Sequence, residues 1–129
     1  MTALLLIALG GALGGMARYW ISELVEARYG DRFPLGTLLV NLIGAFAIGL
    51  AAGWLPDGPP PQGGGFGPVW AALVVGGLGS FTTVSSFSLQ TLTLLRSGRA
   101  GRGVLNIAVS VAGCLGAAAL GLALAGGWG

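Results

Sequence analysis

The sequence predicts an all-α membrane protein of four transmembrane helices, with the third helix broken near its middle. Hydrophobic residues make up 54% of the 129 residues and charged residues only 8%, whereas a soluble domain carries roughly 25% charged residues. Because a spanning helix needs about 20 apolar residues, four spans with short loops use up the chain. We therefore expect a single four-helix transmembrane domain over residues 1–129.

The first predicted span covers about residues 3–20 and ends in Arg18, Tyr19 and Trp20, residue types that anchor helices at a membrane–water interface. The apolar run at the amino terminus has no basic region before it, which favours a span over a cleaved signal peptide. After Trp20, charged residues spaced three and four apart predict a short surface continuation of the helix that stops near Gly30.

The second span is predicted at about residues 35–54, after Pro34, and the fourth at about residues 104–124. Between the second and third spans, residues 56–68 are rich in proline and glycine and predict a linker. The single cysteine, Cys114, lies in an apolar stretch. Because the chain has only this cysteine, an intramolecular disulfide is excluded. We expect Cys114 to be a packing residue.

Small residues recur four apart within the spans, a spacing that lets helices approach closely in lipid. We interpret them as packing positions: Gly10 and Gly14, Gly11 and Gly15, Gly49 and Gly53, and Gly113 and Ala117.

The third span, about residues 69–95, is too long and too polar at its centre for one plain helix. Its 27 residues would make roughly 40 Å of helix at about 1.5 Å each, against a hydrocarbon core of about 30 Å. The middle reads GGLGSFTTVSSFS. A helix broken near residues 79–83 and restarting with Ser or Thr as N-cap explains both features. Broken spans tend to mark ion or substrate sites; the alternative is a glycine-rich kink used only for packing.

Several functions are excluded by missing residues. The chain has no histidine, and its four carboxylates fall in predicted loops or interfacial segments: Glu23, Glu26, Asp31 and Asp57. No span therefore offers an acid for proton relay, binding of a cationic drug or acid–base chemistry. The serines have no base to activate them, so an enzyme is not expected. Six scattered arginines on an apolar chain read as loop charges and not as a nucleic-acid surface.

The polar residues left within the spans are uncharged donors. Asn41 stands out, because lipid cannot satisfy an amide and the side chain must face protein or water; an interhelical hydrogen bond is the alternative role. Ser85 and Ser88, three apart, share a helix face. Neutral donors without carboxylates favour an anion over a cation, and Arg18 near the entrance adds positive potential. The other members of the set are Thr37, the remaining hydroxyls between Ser80 and Thr93, Asn106 and Ser110.

Three segments together resemble the signature segments of the Fluc/CrcB family of small fluoride channels. They are GGALGGMARY at residues 10–19, PLGTLLVNLIGAFAIG at 34–49 and GGLGSFTTVSSFS at 76–88. They occur in the family's order in a chain of the family's size. The resemblance implies an antiparallel, dual-topology homodimer in the cell (inner) membrane, with two narrow pores that export fluoride passively down its electrochemical gradient.

The resemblance also implies roles for individual residues. The backbone carbonyls of Gly79 and Thr82 match those that hold a central structural Na⁺ between two subunits. Asn41 matches the pore asparagine, and Phe87 matches the second of two phenylalanines whose ring edges line the pore. Further matches are the polar pore positions Thr37, Ser85 and Ser88, the polar positions of the fourth helix at Asn106 and Ser110, and the basic residue near the pore vestibule at Arg18.

The chain departs from the family pattern in three places. Val84 stands where the first pore phenylalanine is usual, and Gln90 stands where a glutamate is common. All six arginines lie on the side of the first and third loops, if Arg18 and Arg96 are counted with them. The positive-inside rule then places both termini outside, whereas dual topology predicts little bias. Either insertion is less strict here, or the partner is a second, oppositely oriented subunit.

Two other functions fit parts of the sequence. A small dual-topology transporter of the multidrug-export type also has four short spans, but its proton coupling needs a carboxylate within the membrane. A membrane assembly protein without transport activity would explain the composition but not the broken, hydroxyl-rich third span.

Overall fold

The computed structural model describes residues 1–30, 32–55, 65 and 67–126. Four segments in this part of the chain are long and apolar enough to cross a membrane, and the predicted all-α membrane fold is confirmed. The first span is α1, Thr2–Tyr29, and the second is α2, Leu35–Trp54. The third comprises the π-helical α3, Trp70–Leu78, the single turn α4, Gly79–Phe81, and α5, Ser85–Arg96. The fourth is α6, Ala100–Leu124.

The helix boundaries follow the prediction at three spans and differ at the fourth. Helix α1 stops at Gly30, as expected, where a φ of +81° favours glycine. The start predicted at 104 is wrong, because α6 begins at Ala100 after a turn closed by Gly98 (φ +79°). Arg102, interpreted as a loop charge, therefore lies in the first turn of the helix. Residues 56–64 and 66 of the predicted linker are outside the described part of the chain.

Helices α1 and α3 pack backbone against backbone through glycines. A methyl group built on Gly14 would overlap the carbonyl of Gly77, and one on Gly10 would overlap the carbonyl of Ala72. In the opposite direction, a methyl group on Gly76 would lie 2.5 Å from the carbonyl oxygen of Ile7. The predicted close approach is thus real for Gly10 and Gly14.

Helices α2 and α6 form the second close pair. A methyl group on Gly49 would overlap the carbonyl of Ala118, and one on Gly121 would overlap that of Phe46. Both pairs of helices therefore have a contact that only glycine permits, and the third span contacts each of the other three.

Most large apolar side chains point outward, as expected of a chain that lipid surrounds. Leu4, Leu9 and Leu13 of α1 are each about two-thirds exposed, at 66%, 65% and 66%. The buried apolar side chains instead lie along the second and third spans, where Val40 and Ala71 are fully buried. The small interior is thus concentrated around the broken span.

Candidate functional site

The third span is interrupted at Thr82, where the backbone becomes extended (φ −87°, ψ 162°). The helix before it ends with two hydrogen bonds to the carbonyl of Leu78. The Thr82 N–H donates to it over 3.1 Å, and the Thr82 hydroxyl over 3.0 Å. The break lies at the position that the composition predicts, between residues 79 and 83.

Thr83 caps the helix that follows the break. Its Oγ1 accepts a hydrogen bond from the Ser86 N–H at 3.2 Å and lies 3.1 Å from the Ser85 hydroxyl. A side-chain oxygen bonded to the N–H three residues ahead is the usual N-cap arrangement. The expected Ser or Thr cap is therefore confirmed, with Thr83 in that role although the regular helix begins at Ser85.

Asn41 of the second span holds the break from the side. Its Nδ2 donates to the Thr83 carbonyl at 2.8 Å, and its Oδ1 accepts from the Thr83 N–H at 2.7 Å. The side-chain amide thus replaces the partners that a continuous helix would have supplied. An asparagine amide carries two N–H hydrogens, so one remains for a further acceptor. The alternative role expected for Asn41, an interhelical hydrogen bond, is confirmed, and its partner is the backbone of Thr83.

Arg18 also reaches the break. Its Nη1 donates to the Thr82 carbonyl over 3.3 Å, and the side chain is partly buried. Although Arg18 stands near the end of the first span, where it is counted with the arginines of the first loop, its guanidinium lies against the break. A fixed positive charge at this depth raises the local potential for anions.

A cavity of about 390 Å³ opens beside the break. Polar lining comes from Asn41, Thr82 and Thr83, and no lining residue carries a charge. The complete lining is Asn41, Ala45, Ile48, Gly79, Thr82, Thr83, Val84 and Cys114. A site of this composition offers hydrogen-bond donors to an anion and presents no negative charge that would repel it.

Several lining residues, Cys114 and Thr83 among them, are absent from the predicted pore set. Cys114 was expected only to pack, yet it faces this cavity. Asn106, Ser110 and Cys114 follow one another at intervals of four residues, which places the three on one face of α6 and could have indicated this position. Thr83 was foreseen as a candidate cap and as one of the hydroxyls of the third span, without a pore role of its own.

Phe81, the residue before Thr82, is another residue that the sequence alone did not single out. It is 8% exposed and packs beside Gly44, where an added methyl group would lie 3.5 Å from its ring and overlap the Thr82 methyl group. Gly44 therefore makes the room in which the break is seated against α2.

A second polar cluster joins α5 to α6. Asn106, which is 2% exposed, donates from Nδ2 to the Thr91 hydroxyl at 2.9 Å. The Ser110 hydroxyl contacts Asn106 Oδ1 at 3.4 Å. Within the described residues no hydrogen bond joins this cluster to Asn41, so Ser110 and Asn41, predicted to line one path, belong to separate networks in a single chain.

The remaining predicted pore residues are spread around the break. Thr37 is buried on α2, one turn before Asn41. Ser85 contacts Thr83, whereas Ser88 is exposed and Phe87 is half-buried. Val84 is 75% exposed. Neither Phe87 nor Ser88 is among the described residues that line the cavity at the break.

In the part of the chain that the structure describes, backbone oxygens at the break are the candidates for holding a metal ion. The described residues contain no group of three or more His, Cys, Asp or Glu that could hold one. The Gly79 carbonyl has lost its usual helical donor, because the Thr83 N–H bonds to Asn41 instead. The Thr82 carbonyl accepts from Arg18 but has a second lone pair. These oxygens therefore fit a small hard cation.

Gln90 carries an unusual buried oxygen. Its Oε1 is inaccessible and has no hydrogen-bond partner within the described chain, a situation that costs about 1–3 kcal/mol. The structure gives no reason for an amide at this position.

Comparison with known proteins places this geometry in context. Residues 5–122 match the model of the family described as CrcB-like protein, Camphor Resistance (CrcB). A protein of Rhodopseudomonas palustris (strain BisB18), named fluoride-specific ion channel FluC 2, is 50% identical over 125 residues, which are 95% of this chain and 92% of that protein.

Two further relatives match along nearly their whole length. A Bradyrhizobium diazoefficiens protein, also named fluoride-specific ion channel FluC 2, is 46% identical over 100% of this chain and 93% of its own. A protein of Opitutus terrae named fluoride-specific ion channel FluC is 47% identical over 94% of this chain and 90% of its own.

Proposed function

The chain belongs to the CrcB-like family, and from this premise we propose that it is a fluoride channel. It is a multi-pass membrane protein that lets fluoride leave the cell passively, down its electrochemical gradient, and so lowers cytoplasmic fluoride. The names of the relatives and the uncharged cavity at the break both support this function.

The observation that carries the proposal is a gap in a membrane span surrounded by neutral donors. Fluoride is small and strongly hydrated, so a selective path must replace its water with donors at close range. Asn41 has one amide hydrogen left after bonding Thr83. The Thr83 side chain lines the same cavity, and its hydroxyl lies 3.1 Å from that of Ser85. Arg18 supplies positive potential without occupying the lining of the cavity.

The single chain is half of the proposed channel. In an antiparallel homodimer, two breaks would face each other and two pores would result. Val84, at 75% exposure, marks a surface beside the break that is uncovered in one chain, and a second copy would cover it. The separation of the Ser110 cluster from Asn41 supports the same arrangement, because neighbouring helices from a partner could complete the path.

The carbonyls of Gly79 and Thr82 would hold a structural Na⁺ between two copies. Gly79 has a carbonyl without its helical donor, and the Thr82 carbonyl would be shared with Arg18. The ion, when bound, supplies a fixed positive charge that raises the potential for anions. Arg18 contributes to the same field from the protein side.

The test is fluoride efflux from liposomes that contain the purified chain, followed with a fluoride-selective electrode. We expect rapid efflux once a potassium ionophore relieves the membrane potential, and no comparable efflux of chloride. Liposomes without protein and a parallel test of proton-driven export of cationic dyes are the controls. Absence of fluoride efflux from protein that is folded and dimeric would contradict the proposal, and dye export would favour the multidrug transporter.

A further inference from the structure

Three arginines from two different loops meet at one surface cavity. Arg32 precedes α2, whereas Arg99 and Arg102 stand at the start of α6, and together with Gly98 and Gly101 they line a space of about 530 Å³. All five residues are exposed, so the cavity opens to the surface. Among the residues that the structure describes, none of those lining it is acidic. The proposed channel uses none of these residues.

The start of α6 adds further donors for an anion. The first backbone N–H groups of a helix have no intrahelical partner and carry the positive end of the helix dipole. Arg99 is the residue before this helix, and Gly101 and Arg102 belong to its first turn. Arginine side chains and backbone N–H groups are the combination that proteins use for phosphate.

A second cavity, of about 550 Å³, shares Arg32 and Arg99 with the first. Its further lining mixes apolar side chains, among them Phe33, Leu89 and Leu94, with the polar side chains of Gln90, Thr93 and Ser97. Among the described residues, Glu26 is its one carboxylate, against the three arginines of the two cavities. A basic space next to one that is partly apolar suits a molecule with a phosphate group at one end and a hydrocarbon part at the other.

The position in the fold agrees with such a ligand. Arg32 lies before the second span, and Arg99 and Arg102 lie at the beginning of the fourth, where the helices leave the membrane. Lipid headgroups occupy this layer, and juxtamembrane arginines attract anionic lipids. We propose that this pair of cavities, here called the loop-side site, binds a phosphate-bearing anion, namely the headgroup of an anionic phospholipid.

The experiment compares lipid binding by charge-matched variants in detergent, where membrane orientation has no influence. The site variant is Arg99→Gln with Arg102→Gln. The control variant is Arg28→Gln with Arg96→Gln, which removes the same charge from exposed arginines that do not line the cavities. Native mass spectrometry counts bound phosphatidylglycerol, phosphatidylethanolamine and phosphatidylcholine, and calorimetry measures inorganic phosphate.

We expect the unaltered chain and the control variant to retain phosphatidylglycerol in preference to the two zwitterionic lipids. Because each arginine near a membrane surface contributes about 1 kcal/mol to attraction of anionic lipid, the site variant should bind phosphatidylglycerol roughly tenfold or more weakly. Arg99→Lys with Arg102→Lys should recover part of the binding, and gel filtration confirms that each variant is folded.

Other outcomes would overturn the proposal. Equal losses in the site and control variants would show attraction to net charge alone. Unchanged binding by the site variant would remove Arg99 and Arg102 from any lipid site. Inorganic phosphate that binds as tightly as the lipid would assign the site to a free anion. Fluoride efflux is measured separately, and its presence or absence does not decide the lipid question.

Discussion

Asn41 connects two roles in one side chain. It supplies both hydrogen bonds that hold the Thr83 backbone, and it lines the cavity beside the break. The sequence predicts that Asn41 needs a hydrogen-bond partner, because lipid cannot satisfy its amide. The sequence does not predict which residue that partner is. Asn41 and Thr83 are 42 residues apart, and only the packing of α2 against the third span brings them together.

We predict that Asn41→Asp strongly reduces fluoride flux. An ionised aspartate loses the donor to the Thr83 carbonyl, places a negative charge beside that oxygen and repels a permeating anion. A loss of about 2–3 kcal/mol, as for a hydrogen bond to a charged group, lowers flux roughly 30- to 150-fold. Efflux from liposomes measures this, with Thr93→Val, at an exposed hydroxyl bonded within its own helix, as the control. Undiminished flux in Asn41→Asp would remove Asn41 from the path.

Val84 permits a test of the proposed pore position. Because its side chain is 75% exposed, a larger ring meets no packed neighbour within the same chain. We expect Val84→Phe to keep or improve the preference for fluoride over chloride, since a ring edge is a weak donor to anions. The ratio of fluoride to chloride efflux reports it, with Val84→Leu as a control for size. Worse discrimination with phenylalanine than with leucine would argue against a pore position.

At the scale of elements, the spacing of glycines indicates close packing but not its direction. Gly10 and Gly14 face backbone carbonyls of α3, whereas nothing lies within 4 Å of a methyl group built on Gly15. Sequence alone gives both Gly10–Gly14 and Gly11–Gly15 the same spacing. The face that meets α3 depends on the rotation of α1 about its axis, which tertiary packing decides.

The same contrast yields a matched pair of variants. Gly14→Ala places a methyl group against the backbone of Gly77, and such overpacking typically costs about 1–3 kcal/mol. We predict a lower thermal unfolding temperature in detergent for Gly14→Ala and an unchanged one for Gly15→Ala. Fluorescence-detected gel filtration after heating measures both. Equal stability of the two variants would mean that α1 and α3 are not in backbone contact.

The broken third span shows how far element-level prediction extends. Its length and its central glycines and hydroxyls locate the break, because both disfavour a continuous helix across a thin hydrocarbon layer. The π-helical geometry of Trp70–Leu78 was not predicted, since no local residue pattern requires it. The early start of α6 was missed because Arg102 was assigned to a loop, although arginine is a good helix former.

At the scale of the whole molecule, the arginines bias the orientation of a single chain. Arg32, Arg99 and Arg102 line one cavity, so the first and third loops do meet at one end of the bundle, as predicted from the alternation of the spans. Arg18 does not line this cavity, and its guanidinium contacts the break instead. By the positive-inside rule the other arginines favour this end on the cytoplasmic side, whereas an antiparallel homodimer needs both orientations.

The proposed antiparallel homodimer predicts that copies insert in both orientations despite the arginines. Reporter fusions at the carboxyl terminus that are active on only one side of the membrane measure this. Arg99→Gln with Arg102→Gln should increase the fraction with the termini inside, because it weakens the charge bias. Arg99→Lys with Arg102→Lys keeps the charge and should leave the orientation unchanged. Termini outside in nearly all copies of the unaltered chain would contradict the homodimer and favour pairing with a second, oppositely oriented subunit.

The two bonds between Asn41 and Thr83 also bear on how flow through such a protein could be controlled. If the third span became one continuous helix, both hydrogen bonds would have to break together. The Asn41 amide would then be left without partners in an apolar environment. We therefore expect the break to be a fixed feature of the fold, so that flux is not controlled by refolding of this segment.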